Sequence, residues 1–248
     1  MSSDLASEMS NVDPDTYIGS VQQLLASTES LLRSSTSNVL FRGQTVDAPL
    51  LPKVARKDPR QDTTPLEVKM IEEFRRRLAR ERDIAAMDDW DILIYAQHHG
   101  LSTRLLDWTT NPLFGLWFAC ADYKSPSDGY LYLLVASEED LLNVAAEPNP
   151  FTVSKTYVVK PNLNNSRIRA QSGWFTVHRY SQEATQFVDL HRNASISGHV
   201  LMKGVRRDKK LEMLETLDKL GVNEESVYPG PEGTAKYINW LYRNQLSK

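Results

Sequence analysis

Residues Tyr95 to Cys120, YAQHHGLSTRLLDWTTNPLFGLWFAC, set a polar knot between two apolar segments. Upstream, Asp88-Asp89 can cap a helix that runs from Trp90 to His98 and is apolar nearly all round, the pattern of a buried helix. Gly100 is a natural stop after it. Leu101 to Asp107 reads as a short strand. Asn111-Pro112 then opens a second apolar helix through Leu113, Leu116, Trp117 and Ala121. Gln97, His98, His99, Ser102, Thr103, Arg104, Asp107 and Trp108 all fall at the junctions. Polar groups held between buried elements cost free energy unless they are paired, so the junction predicts a polar pocket.

Working outward, Asn38 to Phe41 reads as a short strand that delivers Arg42, with Gly43 permitting a sharp turn behind it. Tyr17, Val21, Leu24, Leu25, Leu31 and Leu32 recur at helical spacing behind Asp15 as a cap. Ala48 to Thr63, with Pro49, Pro52 and Pro59, reads as loop. Thr64-Pro65-Leu66-Glu67 resembles a capping box opening a helix through Phe74. Further strands are expected at Gly129–Val135, Tyr157–Val159, Trp174–His178 and, as an edge, Val200–Met202. Helices are expected at Arg206–Leu220 and Thr234–Gln245. The sum is an α+β fold, a mostly antiparallel central sheet flanked by helices. Residues 1–13 are expected to be flexible and residues 14–248 to form one domain with an N-terminal helix.

The chain has 248 residues, 41% of them hydrophobic, with a formal net charge of -3. That charge gives no global attraction to nucleic acid or to an anionic membrane. The single cysteine, Cys120, excludes an internal disulfide and reads as a small buried hydrophobe. No Cys/His spacing suits zinc. The N-terminus lacks the plan of a signal peptide, and no apolar run is long enough to span a bilayer. A cytoplasmic protein without a membrane partner is expected.

Three clusters could carry chemistry. Arg42 offers a planar set of donors suited to phosphate or carboxylate, and Gly43 and Gln44 follow it; the same pattern suits a surface arginine. Gln97, His98 and His99 end a helix. There, one histidine at most faces a pocket, or both satisfy free carbonyls. Arg104 and Asp107 suit an ion pair at the strand end, and Asp107 also suits a helix cap. Arg167, Arg169, Gln171, Gly173 and His178 form the third cluster. The charged tracts Arg75 to Arg82 and Arg206 to Lys210 read as solvated helix faces, or as phosphate-tracking surfaces.

Leu40-Phe41-Arg42-Gly43-Gln44, the run Ala96 to Thr109, Asn111-Pro112 and Phe118-Ala119 together resemble the FRG domain family, named for its Phe-Arg-Gly triplet. Arg167 to His178 and Val227 to Gly233 continue the resemblance, which spans about Leu40 to Trp240. Ser102 stands where the family usually has proline, and Pro229-Gly230-Pro231-Glu232-Gly233 varies the usual Pro-Asp-Leu-Asp-Gly. The order Arg42, Ser102-Thr103, Gln171 is also similar to an ADP-ribosyltransferase. That likeness implies NAD as substrate, no metal, and transfer to a macromolecule, protein or nucleic acid. It assigns catalysis to Arg42, His98, Ser102, Arg104, Asp107 and Gln171. Cofactor contacts fall to Arg42, Gly43, Gln44, Gln97, Thr103 and Trp108. Gln171 carries no charge where a glutamate is usual; Asp107 and Glu183 are the substitutes. The family's occurrence in bacteria and phages implies a toxin or defence role, with a neutralising partner. The alternative is a non-catalytic module that binds a nucleotide, nucleic acid or protein.

Overall fold

The computed structural model describes residues 17–33, 38–80, 84, 86–161, 170–194, 196 and 199–246. The expected flexible residues 1–13, the Asp15 cap, and Arg82, Arg167 and Arg169 lie outside them.

Six strands form one sheet: β1 (Asn38–Gln44), β2 (Leu105–Thr109), β3 (Gly129–Ala136), β4 (Tyr157–Val159), β5 (Gly173–Val177) and β8 (His199–Val205). Their order is β4-β5-β2-β1-β3-β8, and every neighbouring pair is antiparallel. A two-stranded ribbon, β6 (Tyr180–Ser181) with β7 (Gln186–Phe187), stands apart. The architecture is α+β.

The helices fall into two groups on one face of the sheet. Helices α1 (Val21–Leu32), α4 (Pro112–Cys120) and α5 (Lys210–Lys219) pack with Phe41, Leu131 and Leu133 over the β1-β3-β8 half. Short α6 (Glu224–Val227) and then α7 (Pro231–Leu241) add Val227 and Trp240 to the same cluster. Helices α2 (Thr64–Arg77) and α3 (Asp89–His98) pack with Leu105, Val159, Phe175 and Val177 over the β2-β5-β4 half. The opposite face, with Leu40, Leu106, Trp108 and Tyr132, is covered by Leu50, Leu190 and Ile196. Side chains alternate along a strand, so each residue belongs to one face only.

Several local expectations are corrected. Helix α1 starts at Val21 behind Ser20, whose side chain accepts from Gln23 N, because Tyr17 is taken into a bridge with Gly204. Strand β1 continues through Gly43 to Gln44 and pairs with β3 throughout, so no turn follows Arg42. The missing side chain of Gly43 makes room for α4: a Cβ there would lie 2.2 Å from both Ala119 N and Gly115 O. Glu67 caps nothing; it is buried against Arg104. Asn111, not Asp107, caps α4. Helix α7 begins three residues early, at Pro231, where proline costs no hydrogen bond.

Candidate functional site

Strands β1 and β2 share one register pair, Phe41 with Thr109, whereas β1 and β3 share seven. Continuing the ladder would pair Arg42 with Trp108, but the strands diverge there. The Asp107 carbonyl, left without a strand partner in β1, accepts from Arg42 Nη1 at 2.8 Å. Arg42 Nε donates to Gln44 Oε1 at 3.3 Å. The Asp107 carboxylate lies 4.0 Å from Nη1, too far for a close ion pair. Nη2 has no protein partner among the described residues. The Arg42 side chain is 13% exposed. Burial, opposed by Asp107 and aided by Arg56, holds its pKa down at about 10, so it stays charged at neutral pH.

The end of α3 meets this split from the other side. Thr103 Oγ1 donates to Gln97 Oε1 at 2.6 Å, which turns the amide nitrogen outward. That nitrogen donates to both Asp107 oxygens at 3.2 Å. Asp107 is therefore held on one side and open on the other, its side chain 60% exposed. Gly100, with φ +90, ends the helix and clears the way beyond it. His98 lines the resulting cavity. His99 turns away onto Tyr95, with ring centroids 4.5 Å apart. One histidine of the pair faces the pocket, as adjacent helical positions require.

The cavity has a volume of about 380 Å³. Because the sheet is split, residues of both faces reach it: Phe41, Asp107 and Phe175 from one, Arg42, Trp108 and Trp174 from the other. Phe118 of α4 closes one wall. Lys53 and Arg56 stand on a single 3-10 turn at the rim. The sequence reading missed these two cations inside a proline-rich loop. The signal for them was basic residues beside the apolar pair Leu50-Leu51, which anchors that loop in the core. Asp107 is the only carboxylate among the described lining residues.

Seven of the expected site residues come together here: Arg42, Gly43, Gln97, His98, Asp107, Trp108 and Gln171. Gln44, Ser102, Thr103 and Arg104 do not line the cavity. Gln44 and Thr103 act one step behind it, through Arg42 and Gln97. Arg104 pairs with Glu67, not with Asp107. Residues 101–104 lie outside the strand, which directs that guanidinium into the core. Gly43 admits helix backbone, not a ligand. Gln171 Nε2 is occupied by the Val227 carbonyl at 2.8 Å, and Glu183 lines a different cavity. His178 is buried below, its Nε2 2.9 Å from Thr176 Oγ1, which accepts from Trp108 Nε1 at 3.1 Å. Burial, then Arg42 and Arg104, push His178 down to about 3, so it is neutral at neutral pH. Among the described residues no group of three or more His, Cys, Asp or Glu could hold a metal ion. None of the described helices is long and apolar enough to cross a membrane.

Residues 37–128 match the family model described as FRG domain. The match includes β1, Lys53 and Arg56, the α3 end, Asp107 and Phe118, and leaves the β5 wall outside it. No curated protein and no solved structure matches the chain.

Proposed function

We propose that this FRG-domain chain binds NAD in the split between β1 and β2 and transfers ADP-ribose to a macromolecule. The observation that carries the reading is Arg42: a charged, nearly buried guanidinium with one nitrogen free of protein partners and turned to no close carboxylate. A cation so held is prepared for an anion, and arginine suits phosphate oxygens best. Lys53 and Arg56 extend the positive field along the rim. Phe118 and Trp174 provide faces on which a flat ring can stack. The cavity volume lies within the usual range for small-molecule sites.

NAD when bound supplies a bond between ribose and nicotinamide whose electron pair leaves with nicotinamide, as a nucleophile of the acceptor bonds to the ribose carbon and loses its proton. Asp107 takes the part that the uncharged Gln171 cannot. Its open carboxylate stabilises positive charge developing on the ribose, and Gln97 fixes its orientation. His98, at the rim, is the group suited to take the acceptor's proton. A toxin or defence role follows from the same reading, with a neutralising partner covering the rim. The occupied Gln171 amide favours a second reading, a nucleotide-binding module without chemistry.

Calorimetry with NAD and an assay for released nicotinamide separate the two. Wild type is expected to bind NAD and release nicotinamide when offered protein or nucleic acid. Arg42→Ala should weaken binding at least about ten-fold, the loss of one charge-assisted contact. Asp107→Asn should bind and release nothing. Binding without release by wild type leaves the module; no heat of binding at millimolar NAD ends the NAD reading.

A further inference from the structure

We infer that the macromolecular partner of this cavity is a single-stranded nucleic acid, led in along the turn that carries Lys53 and Arg56. The inference shares with the NAD reading only the premise that this cavity is the working site.

The first ground is where unpaired positive charge lies. The arginines of α2 are partly countered by carboxylates: Glu73 is shared by Arg76 and Arg77 at 2.6 and 2.7 Å, and Asp89 of α3 pairs with Arg75 at 3.2 Å. In the tract before α5, Asp208 faces Arg206 and Glu212 faces Lys209, while Arg207 donates to the Pro126 carbonyl at 3.3 Å, away from the cavity lining. Lys53 and Arg56 are exposed and make no ion pair among the described residues. They bond instead to carbonyls, Lys53 Nζ to Gly100 at 3.4 Å and Arg56 Nε to Leu51 at 3.1 Å. Carbonyls orient these cations without cancelling their charge.

The second ground is that the turn is held rigidly. Leu51, Ala55 and Phe187 form a small core beneath it. The β6-β7 ribbon clamps its far end, Phe187 N donating to the Pro59 carbonyl at 2.8 Å and Tyr180 Oη to the Arg60 carbonyl at 3.1 Å. A fixed pair of cations at a cavity mouth loses little entropy when it meets a ligand.

The third ground is the wall opposite. Trp174 lines the cavity with Lys160 Nζ 5.6 Å from its ring centre, and half-buried Phe118 lines it as well. Aromatic faces beside a cationic track are the means by which single strands are held without reading sequence: bases stack and phosphates follow the charge. An acidic protein segment would use the cations and leave the rings idle. With a net charge of -3 the attraction is local, so binding should be confined to this mouth.

The test uses the full chain with fluorescent oligothymidylate and oligouridylate of about 12 nucleotides, read by anisotropy across a salt series. Both should bind, with affinity falling as salt rises. Lys53→Ala and Arg56→Ala should each make the log-log slope shallower by about 0.7. Trp174→Ala should weaken binding roughly ten-fold and leave the slope alone. Arg76→Ala, at a residue paired with Glu73 on α2 and outside the cavity lining, should change neither. A preference for one oligonucleotide upholds the inference and shows that the 2′ position or the thymine methyl is felt; oligodeoxyuridylate then tells the two apart. Failure of both to bind at low salt overturns it, as does a slope indifferent to Lys53 and Arg56, or displacement of the strand by polyglutamate at equal charge. NAD binding without oligonucleotide binding sinks this inference alone, and the reverse result sinks the NAD reading alone.

Discussion

Arg42 and Arg104 look alike in the sequence and do opposite things in the fold. Each is a lone cation beside an apolar run, each was a candidate for the site, and both keep His178 neutral. Arg104 is 1% exposed, and every donor group of its guanidinium is engaged. Its Nε reaches Glu67 Oε1 at 3.2 Å, Nη2 Thr64 Oγ1 at 3.0 Å and Nη1 the Pro150 carbonyl at 3.3 Å, with Phe151 stacked at 4.9 Å. Arg42 meets one carbonyl and one amide oxygen, keeps a nitrogen free, and has its carboxylate at 4.0 Å. The difference lies in how much of the cation the protein has already used. A saturated arginine holds a fold together, and a part-used one can hold something else.

The largest effect should come from unbalancing the saturated site. Arg104→Met leaves Glu67 buried without its countercharge and should lower stability by about 3–5 kcal/mol in chemical denaturation. Burial already raises the Glu67 pKa, so the loss should shrink in acid as that carboxyl takes a proton. The double variant Glu67→Leu, Arg104→Met should recover most of the loss, since an apolar pair of similar volume removes two buried charges at once. If Arg104→Met costs nothing at neutral pH, the contrast between the two arginines is wrong.

The next effect concerns the residue they share. The native pKa of His178, about 3, lies below its unfolded value of 6.5, so the unfolded chain binds the extra proton between those limits. Stability contributed by neutral His178 is complete above pH 6.5 and falls as pH drops, by about 1.4 kcal/mol per unit and so about 2 kcal/mol by pH 5. His178→Asn changes absolute stability as well, but it should flatten this slope. An unchanged slope between pH 7 and pH 5 would mean that burial and the two guanidiniums do not hold the imidazole neutral.

The sequence made the frame of this contrast legible and not its content. Periodicity and caps marked α3, α4 and the strands, because a buried helix end, Gly100 and Asn111-Pro112 each act through their immediate neighbours. The split in the sheet left no such mark. It depends on the register of β1 against both β2 and β3, which are distant in the chain. For the same reason Arg104 was paired with nearby Asp107 when its partner, Glu67, sits on another helix. Gln97, His98 and Asp107 stand together around one junction in the sequence, and Arg42, 65 residues before Asp107, was marked by its own strand end and glycine. Lys53 and Arg56 were missed because their loop gains its place only from the β6-β7 ribbon, far along the chain.

The smallest expected change in stability, at residue 42, belongs to the sharpest comparison: arginine to lysine at both positions. Lysine keeps the charge and loses the planar fork. At residue 104 the fork reaches Glu67 Oε1, Thr64 Oγ1 and the Pro150 carbonyl together, and a compact ammonium cannot hold all three in a site where Glu67 Oε2 already lacks a partner. Arg104→Lys should therefore cost about 2 kcal/mol or more. At residue 42 the split is open enough for water to take over the Asp107 carbonyl, so Arg42→Lys should stay within about 1 kcal/mol of wild type. What it should lose is the free nitrogen in its fixed plane, and with it most of the advantage for phosphate. Near-native melting with weakened NAD binding would identify residue 42 as a contact that the fold can spare and the ligand cannot. Equal melting losses at the two positions would show that the Arg42 guanidinium is as fully used by the protein as that of Arg104.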